Sequence, residues 1–239
     1  MKPHIHLEES HSYQNVIVCG PPERALSISQ MLDAPRPLSK NREYHSYFGT
    51  FKNSPVLVIS HGIGAPGAAI CFRELIDVGA KTIVRVGTAG SLQNKIGAGD
   101  IVIPEYAIRN DGTTRLMVPE NFSAESDEDL TQTLTTILTK KAAKFLKGSI
   151  LTSDLFYPEL LDPQLEYYSK AGVLAVEMEC SALFVLGKIH RVRTAAILVM
   201  DGNPLRWKEG EYVPRSEEVR NGLELSSLAV LELFSKGSL

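Results

Sequence analysis

The chain has 239 residues, 44% of them apolar and 22% charged, with a formal net charge of -3. That length supports one large domain with a substantial buried core, and the charge gives no electrostatic ground for nucleic-acid binding. Cys19, Cys71 and Cys180 are odd in number and lack metal-ligand spacing, which argues against disulfides or zinc and for a reducing cytoplasm; residues 1–6 lack an apolar signal core, and no apolar run nears the roughly 20 residues that span a bilayer.

The elements follow in chain order. Asn15-Val16-Ile17-Val18-Cys19 reads as a buried strand ended by Gly20, with a helix over residues 23–32. Pro55-Val56-Leu57-Val58-Ile59-Ser60 is the next strand, running into the glycine-rich turn His61-Gly62-Ile63-Gly64-Ala65-Pro66-Gly67. Helical spacing over residues 68–78 stops at Gly79. Strands follow at residues 81–86 and 100–103, an amphipathic helix at 129–146, and strands at 149–152 and 174–176. A helix at 180–189, a buried strand at 194–200 and a last helix at 219–234 complete the chain. Strand, glycine turn and helix in repetition predict parallel pairing with helices on both faces. The fold class is therefore α/β: a single domain over residues 1–239, built on a central mixed, mostly parallel twisted sheet. Ligands of such sheets sit beyond the carboxyl ends of the strands, so the informative residues are those that follow each strand.

Arg85 closes an apolar strand, where a planar donor fork suits a bidentate anion or a carboxylate partner. The loop expected after it, Gly87-Thr88-Ala89-Gly90, offers backbone N–H groups and the Thr88 hydroxyl as an oxyanion cradle. Gly20-Pro21-Pro22-Glu23-Arg24 is a second strand-to-helix turn with a trailing arginine; Gly20 lets a ligand approach the backbone, and Arg24 either reaches the pocket or lies on the surface. The turn over residues 61–67 is neither a Walker loop nor a dinucleotide fingerprint, so it is a tight turn or a pocket wall. In Val176-Glu177-Met178-Glu179, an extended backbone points both carboxylates one way and Met178 the other. Such acids accept from sugar hydroxyls or pair with cations at a helix start. Asp201 follows a buried strand, where a raised pKa would make it a general acid near neutrality, or it caps a helix. The glycine- and proline-containing stretch after it carries Trp207, the only tryptophan, as a lid or an anchor. Phe156-Tyr157 stacks on a flat base or packs in the core.

Together and in this order, these segments resemble the trimeric/hexameric nucleoside phosphorylase superfamily over nearly the whole chain. The similarity is strongest to the apicomplexan type of purine nucleoside phosphorylase, through Asn41-Arg42-Glu43-Tyr44, Ser60-His61-Gly62-Ile63-Gly64, Val176-Glu177-Met178-Glu179 and Asp201-Gly202-x-Pro204-x-x-Trp207-x-Glu209-Gly210. The resemblance implies a phosphate site at Gly20, Arg24, Arg85 and Thr88, with Arg42 supplied by a neighbouring subunit. It implies a ribose site at Met178 and Glu179, with His4 from that neighbour, and a base pocket of Phe156, Val176, Glu177, Asp201 and Trp207. It further implies a homo-oligomer with shared sites, typically a hexamer built as a trimer of dimers. Inorganic phosphate would be a co-substrate, with no cofactor, metal, nucleic acid or membrane. One departure is plain: the family has Gly-Asp-Pro where this chain has Gly20-Pro21-Pro22, and proline also removes a backbone donor.

The expected activity is phosphate-dependent cleavage of inosine or guanosine to a free base and ribose 1-phosphate, with Asp201 as the catalytic acid at the purine. Uridine phosphorylase is the alternative. It shares Phe156-Tyr157-Pro158 and the Arg42 segment, but the glutamine and arginine that read uracil are replaced by Leu160 and Asp162. A phosphate-independent nucleosidase or a non-catalytic nucleoside-binding protein are the remaining readings.

Overall fold

The computed structural model describes residues 1–236. Strand β1 is Asn15–Cys19, in which Val16 to Cys19 are completely buried. Val16 and Val18 enter one hydrophobic core and Ile17 and Cys19 the other. A strand covered on both faces must be apolar at successive positions, which is why it reads as an unbroken run rather than an alternation.

Helix α1 (Pro22–Ser29) leads to an antiparallel hairpin of β2 (Asp33–Asn41) and β3 (Tyr44–Phe51), and then to β4 (Ser54–Ser60). The hairpin was not predicted. Its first strand carries Pro35 and Pro37 and is largely exposed, which masks the usual strand signal; proline is tolerated there because β2 is an edge strand. The two-residue turn is Arg42-Glu43, with Arg42 in the left-handed region at φ 52.

Helix α2 (Ala65–Asp77) connects to β5 (Thr82–Ser91), then β6 (Ile101–Asn110), α3 (Gly112–Met117), α4 (Glu128–Lys140) and β7 (Phe145–Ser153). The helix expected over residues 129–146 ends at Lys140 instead. Ala142 turns the chain with φ 52, and Phe145 and Leu146 pair with Ile101 and Val102 of β6. A short helix α5 (Leu165–Lys170), the three-residue strand β8 (Ala175–Glu177), α6 (Cys180–His190), β9 (Arg193–Gly202) and α7 (Glu217–Ser235) follow. The Ser216 hydroxyl caps α7 by accepting from the Val219 N–H, and Glu217 and Glu218 occupy its first turn, where the helix dipole favours anions.

The sheet of the described residues has nine strands in the order β2-β3-β4-β1-β5-β8-β7-β6-β9, and β9 also pairs with β5. That last pairing closes β5, β8, β7, β6 and β9 into a ring. Pairing is parallel for β1–β4, β1–β5, β5–β9, β6–β7 and β7–β8, and antiparallel for the hairpin, β3–β4, β5–β8 and β6–β9. The sheet is mixed, as expected, with more antiparallel edges than the strand–helix alternation suggested.

Helices α2 and α6 cover one face through Phe72, Leu75, Leu183 and Phe184; α1, α4 and α7 cover the other through Ile28, Leu134, Leu138 and Leu231. Each such side chain contributes about 1.5–3 kcal/mol by leaving water. The two cores fix the sheet on both sides, and the ends of its central strands are what remain to build a site.

Candidate active site

β1 stops at Cys19 and β4 at Ser60, while β5 runs on to Ser91. Pairing of β1 with β5 ends at Val18 opposite Arg85. Beyond that point β5 has a free flank, and the turns after β1 and β4 fold beside it. Those turns are tied together: the His61 N–H donates to the Cys19 carbonyl at 2.8 Å and the Gly62 N–H to the Gly20 carbonyl at 2.9 Å. Gly62 sits at φ 77, and a Cβ there would come within 2.7 Å of the Glu43 side chain, so only glycine fits.

The predicted oxyanion cradle takes a different form. Gly87-Thr88-Ala89-Gly90 is not a loop; it continues β5 in register with β9, from Gly87 opposite Leu198 to Ala89 opposite Met200. The strand supplies a straight, rigid edge in place of a nest of N–H groups. Gly87 has its own task. A Cβ at that position would stand 2.8 Å from Arg85 Cζ and 2.9 Å from its Nη1, so the guanidinium folds back over the glycine two residues on.

Arg85 is 3% exposed. Its Nη2 meets Glu179 Oε2 at 2.5 Å and Glu177 Oε2 at 3.4 Å, and its Nη1 lies 3.3 Å from His61 Nε2. Its Nε is buried without a hydrogen-bond partner. Burial by itself disfavours the cation, but Glu179 and Glu177 outweigh it and hold the guanidinium above its ordinary pKa. The pKa of Glu179 is also raised: burial lifts its carboxyl above the usual range, with Arg85 opposing the shift and Glu177 adding to it. The other oxygen of Glu179 accepts from the Gly64 N–H at 2.7 Å. The chain leaves the extended form after Glu177 and bends at Met178 and Glu179, yet both carboxylates reach Arg85 Nη2, and Met178 is half-buried.

Glu177, expected in the base pocket, is bound by the chain on both oxygens. Its oxygens accept from the Thr152 hydroxyl at 2.6 Å, the Glu179 N–H at 2.8 Å and the Cys180 N–H at 2.9 and 3.0 Å. The carboxylate is saturated by the chain itself. It holds the Glu179 and Cys180 N–H groups at the start of α6. Val176, beside it in β8, is half-buried and packs against Leu92, Leu151 and Val173.

Asp201 lies where β9 slips against β5. The register runs Ala89 to Met200 and then Gly90 to Gly202, leaving Asp201 in a bulge. Bulges re-aim side chains at strand ends. Burial dominates the Asp201 carboxyl and pushes its pKa up to about 6. Thr88 and Arg24 restrain that rise. The following chain folds back over the strand end: the Val213 N–H donates to the Asp201 carbonyl at 2.8 Å and the Asn203 N–H to the Glu211 carbonyl at 2.9 Å. A Cβ on Gly202 would meet the Glu211 carbonyl at 2.3 Å, so this crossing requires glycine.

Between the crossing strands, Pro204–Glu209 forms a 3-10 turn capped by the Asn203 side chain. Trp207 on that turn stands 4.9 Å from Phe156, 6.2 Å from Tyr157 and 5.5 Å from Tyr212, ring centre to ring centre. Phe156 is 40% exposed and Tyr212 45%. The four rings form an accessible aromatic wall next to Asp201. Tyr212 was not singled out from the sequence; only the backbone crossing brings it here.

Arg24 is half-buried, not a surface residue, and its Nη1 donates to the Val86 carbonyl at 3.4 Å. Burial and then the neighbouring Arg85 hold its pKa below the ordinary guanidinium value. A cation held below its ordinary pKa by burial and a neighbouring cation is what a bound anion relieves. The Gly20-Pro21-Pro22 turn is intact despite its departure from the family. Pro22 opens α1 and Pro21 is its extended cap, a position where proline's fixed φ fits. The Pro21 carbonyl accepts from Arg24 and Ala25 N–H groups at 3.1 and 3.3 Å.

His4 and Arg42 are gathered near the hairpin. His4 Nδ1 lies 2.7 Å from Glu74 Oε1, its ring stands edge-on to Tyr44, and its carbonyl accepts from the Asn41 side chain at 2.7 Å. Arg42 is exposed.

Residues 14–235 match the family model described as the phosphorylase superfamily. The chain belongs to that superfamily. It is 39% identical to the purine nucleoside phosphorylase of Plasmodium vivax, over 99% of this chain and 98% of that relative. It is 37% identical to the uridine phosphorylase of Treponema pallidum, over 98% of this chain and 95% of that one. The crystal structure of the Toxoplasma gondii purine nucleoside phosphorylase in complex with immucillin-H superposes with a TM-score of 0.95 at 33% identity, covering 99% and 96% of the two chains. In this superfamily member, Arg85 pairs with Glu179, Arg24 lies within electrostatic reach of Arg85, Asp201 and Glu179, and Phe156 and Trp207 share one wall. Among the described residues there is no cluster of three or more His, Cys, Asp or Glu able to hold a metal, and no helix long and apolar enough to cross a membrane.

Proposed function

We propose that this superfamily member is a purine nucleoside phosphorylase, cleaving inosine or guanosine with inorganic phosphate. The observation that carries the reading is Asp201, a carboxyl with a pKa raised to about 6 by burial, beside an aromatic wall and within electrostatic reach of Arg24. Phosphate is held by Gly20, Arg24, Arg85 and Thr88, and a second copy of the chain supplies Arg42 and His4. Met178 and Glu179 take the ribose; Phe156 and Trp207 take the base. A phosphate oxygen bonds to C1′ as the C1′–N9 bond breaks, and the bonding pair leaves with the purine. Asp201 donates a proton, or a hydrogen bond, to N7 and so stabilises the departing anion. The negative charges of phosphate and Glu179 stabilise the sugar's cationic character. The aromatic wall excludes the water that would otherwise capture that cation. The products are the free base and ribose 1-phosphate, made without a cofactor. The working form is a cytoplasmic homo-oligomer, a hexamer of 239-residue single-domain subunits.

The similarity to the Treponema pallidum uridine phosphorylase and the Phe156-Tyr157-Pro158 segment favour uridine as the second reading. Initial rates on inosine, guanosine, adenosine and uridine, with and without phosphate, decide between them. Phosphate-dependent cleavage fastest with inosine or guanosine is expected. Faster uridine cleavage overturns the purine assignment, and turnover undiminished without phosphate overturns phosphorolysis.

A further inference from the structure

His61 sits in the wall between the two strand-end turns and is completely buried. Its Nδ1 lies 3.0 Å from the Gly62 carbonyl, which can only accept, so that nitrogen carries the ring proton. Its Nε2 lies 3.3 Å from Arg85 Nη1, which can only donate. Those two contacts specify a single state, a neutral imidazole protonated on Nδ1 and accepting through Nε2. The ring is held edge-on to Phe72 at 5.3 Å, and the backbone N–H of His61 is tied to Cys19. Its position is therefore set by the fold and not by the guanidinium.

We infer that His61 is a positioning residue that orients Arg85 for anion binding, its Nε2 accepting from Nη1 while Glu179 anchors Nη2 and Gly87 supports the guanidinium plane. Without the imidazole acceptor, the two carboxylates are the strongest remaining partners. Glu177 and Glu179 both lie on the Nη2 side, so the fork would swing toward them and away from the Gly20 turn. His61 balances that pull. Being neutral, it does so without placing a third carboxylate beside the anion that Arg85 is to receive. Burial, with Arg85 next, keeps the ring far from protonation, in agreement with this geometry. The inference rests on the reading of Arg85 as a phosphate ligand.

The test compares His61→Gln with His61→Met. Glutamine can return a carbonyl acceptor near the place of Nε2, whereas methionine fills space without a comparable acceptor. Steady-state kinetics are run with phosphate varied at saturating inosine, and with inosine varied at saturating phosphate. His61→Met is expected to raise the phosphate KM at least tenfold while shifting the inosine KM less than threefold, and His61→Gln to recover most of the loss. Equal phosphate KM in both variants and the parent, with phosphorolysis intact, overturns the positioning role and leaves the proposed function standing. A parent enzyme that turns over without phosphate removes both. Should the variants misfold, ¹⁵N NMR of the parent at neutral pH reads the imidazole directly. A protonated Nδ1 with an unprotonated Nε2 is expected for His61, and the reverse tautomer or an imidazolium overturns the inference.

Discussion

The cluster around Arg85 and the aromatic wall around Asp201 lie at adjacent strand ends but are built on opposite terms. In the first, one guanidinium, two carboxylates and an imidazole are buried, and the donors and acceptors are matched within the chain, apart from Arg85 Nε. In the second, four rings stand partly in water on the loop after β7, a 3-10 turn and a crossing segment, with packing as their main restraint. The first is fixed before any ligand arrives, and a buried ion cluster cannot rearrange without leaving a charge unpaired. The second can shift around a base with little electrostatic cost. Under the proposed function, phosphate and ribose take part in the cleavage of every ribonucleoside, while the base is what distinguishes one substrate from another. Rigid recognition of the shared part and adaptable recognition of the variable part follow from this difference in construction.

Three substitutions can break or sharpen that contrast. Arg85→Met strikes the cluster at its centre, leaving Glu177 and Glu179 buried without their cation. Removing one partner from such a group costs about 3–5 kcal/mol. Urea denaturation should show a loss of that size, with phosphorolysis abolished; a stable variant would mean that the cluster relaxes, contrary to the contrast drawn.

Asp201→Asn is expected to reduce inosine cleavage by roughly 10²–10⁴-fold, the usual range for one general acid, without weakening the fold. The pH dependence separates it from Arg85. Because the folded pKa of Asp201 is raised to about 6 from 3.8, its stabilising contribution is complete below 3.8 and is lost as pH rises through about 6. The parent should therefore lose on the order of 2 kcal/mol of unfolding free energy over that window, and the asparagine variant should not. In kinetics, the ratio of parent to variant kcat/KM for inosine should fall as pH rises through the same window. A ratio independent of pH would remove Asp201 as the proton donor.

Trp207→Ala should have the smallest effect, a rise of about tenfold in nucleoside KM, with phosphate KM and stability almost unchanged. Trp207 is the only tryptophan, so the parent's emission should shift when inosine binds and stay constant when phosphate alone is added. An equal response to phosphate would show that the wall and the cluster move together.

Most of the strands and helices were legible because their burial pattern is written in local sequence. β1, β4 and β9 are runs of apolar residues bounded by glycine or a polar turn, and α7 carries its cap and its acids in order. The hairpin of β2 and β3 was not legible. Its first strand is held by pairing and edge position and contains two prolines, so propensity argues against it. The extension of β5 through Gly87 to Gly90 was missed for a related reason: glycines signal a turn, and only the neighbouring β9 makes them a strand.

The sequence by itself determined the composition of the site. Apolar runs leading into Arg85, Glu177-Met178-Glu179 and Asp201 mark where polar groups enter the strands of the sheet, because hydrophobic runs and side-chain alternation are local properties. Tertiary structure decided which of those groups are free to act. Two carboxylates at positions 177 and 179 look equivalent in sequence, yet Thr152 and the first N–H groups of α6 saturate one, while the other faces Arg85 and Gly64. His61 and Tyr212 likewise become part of the site only through contacts with chain far away in sequence. Hydrogen-bond saturation and desolvation depend on what the fold brings within about 3 Å, and no local pattern encodes that.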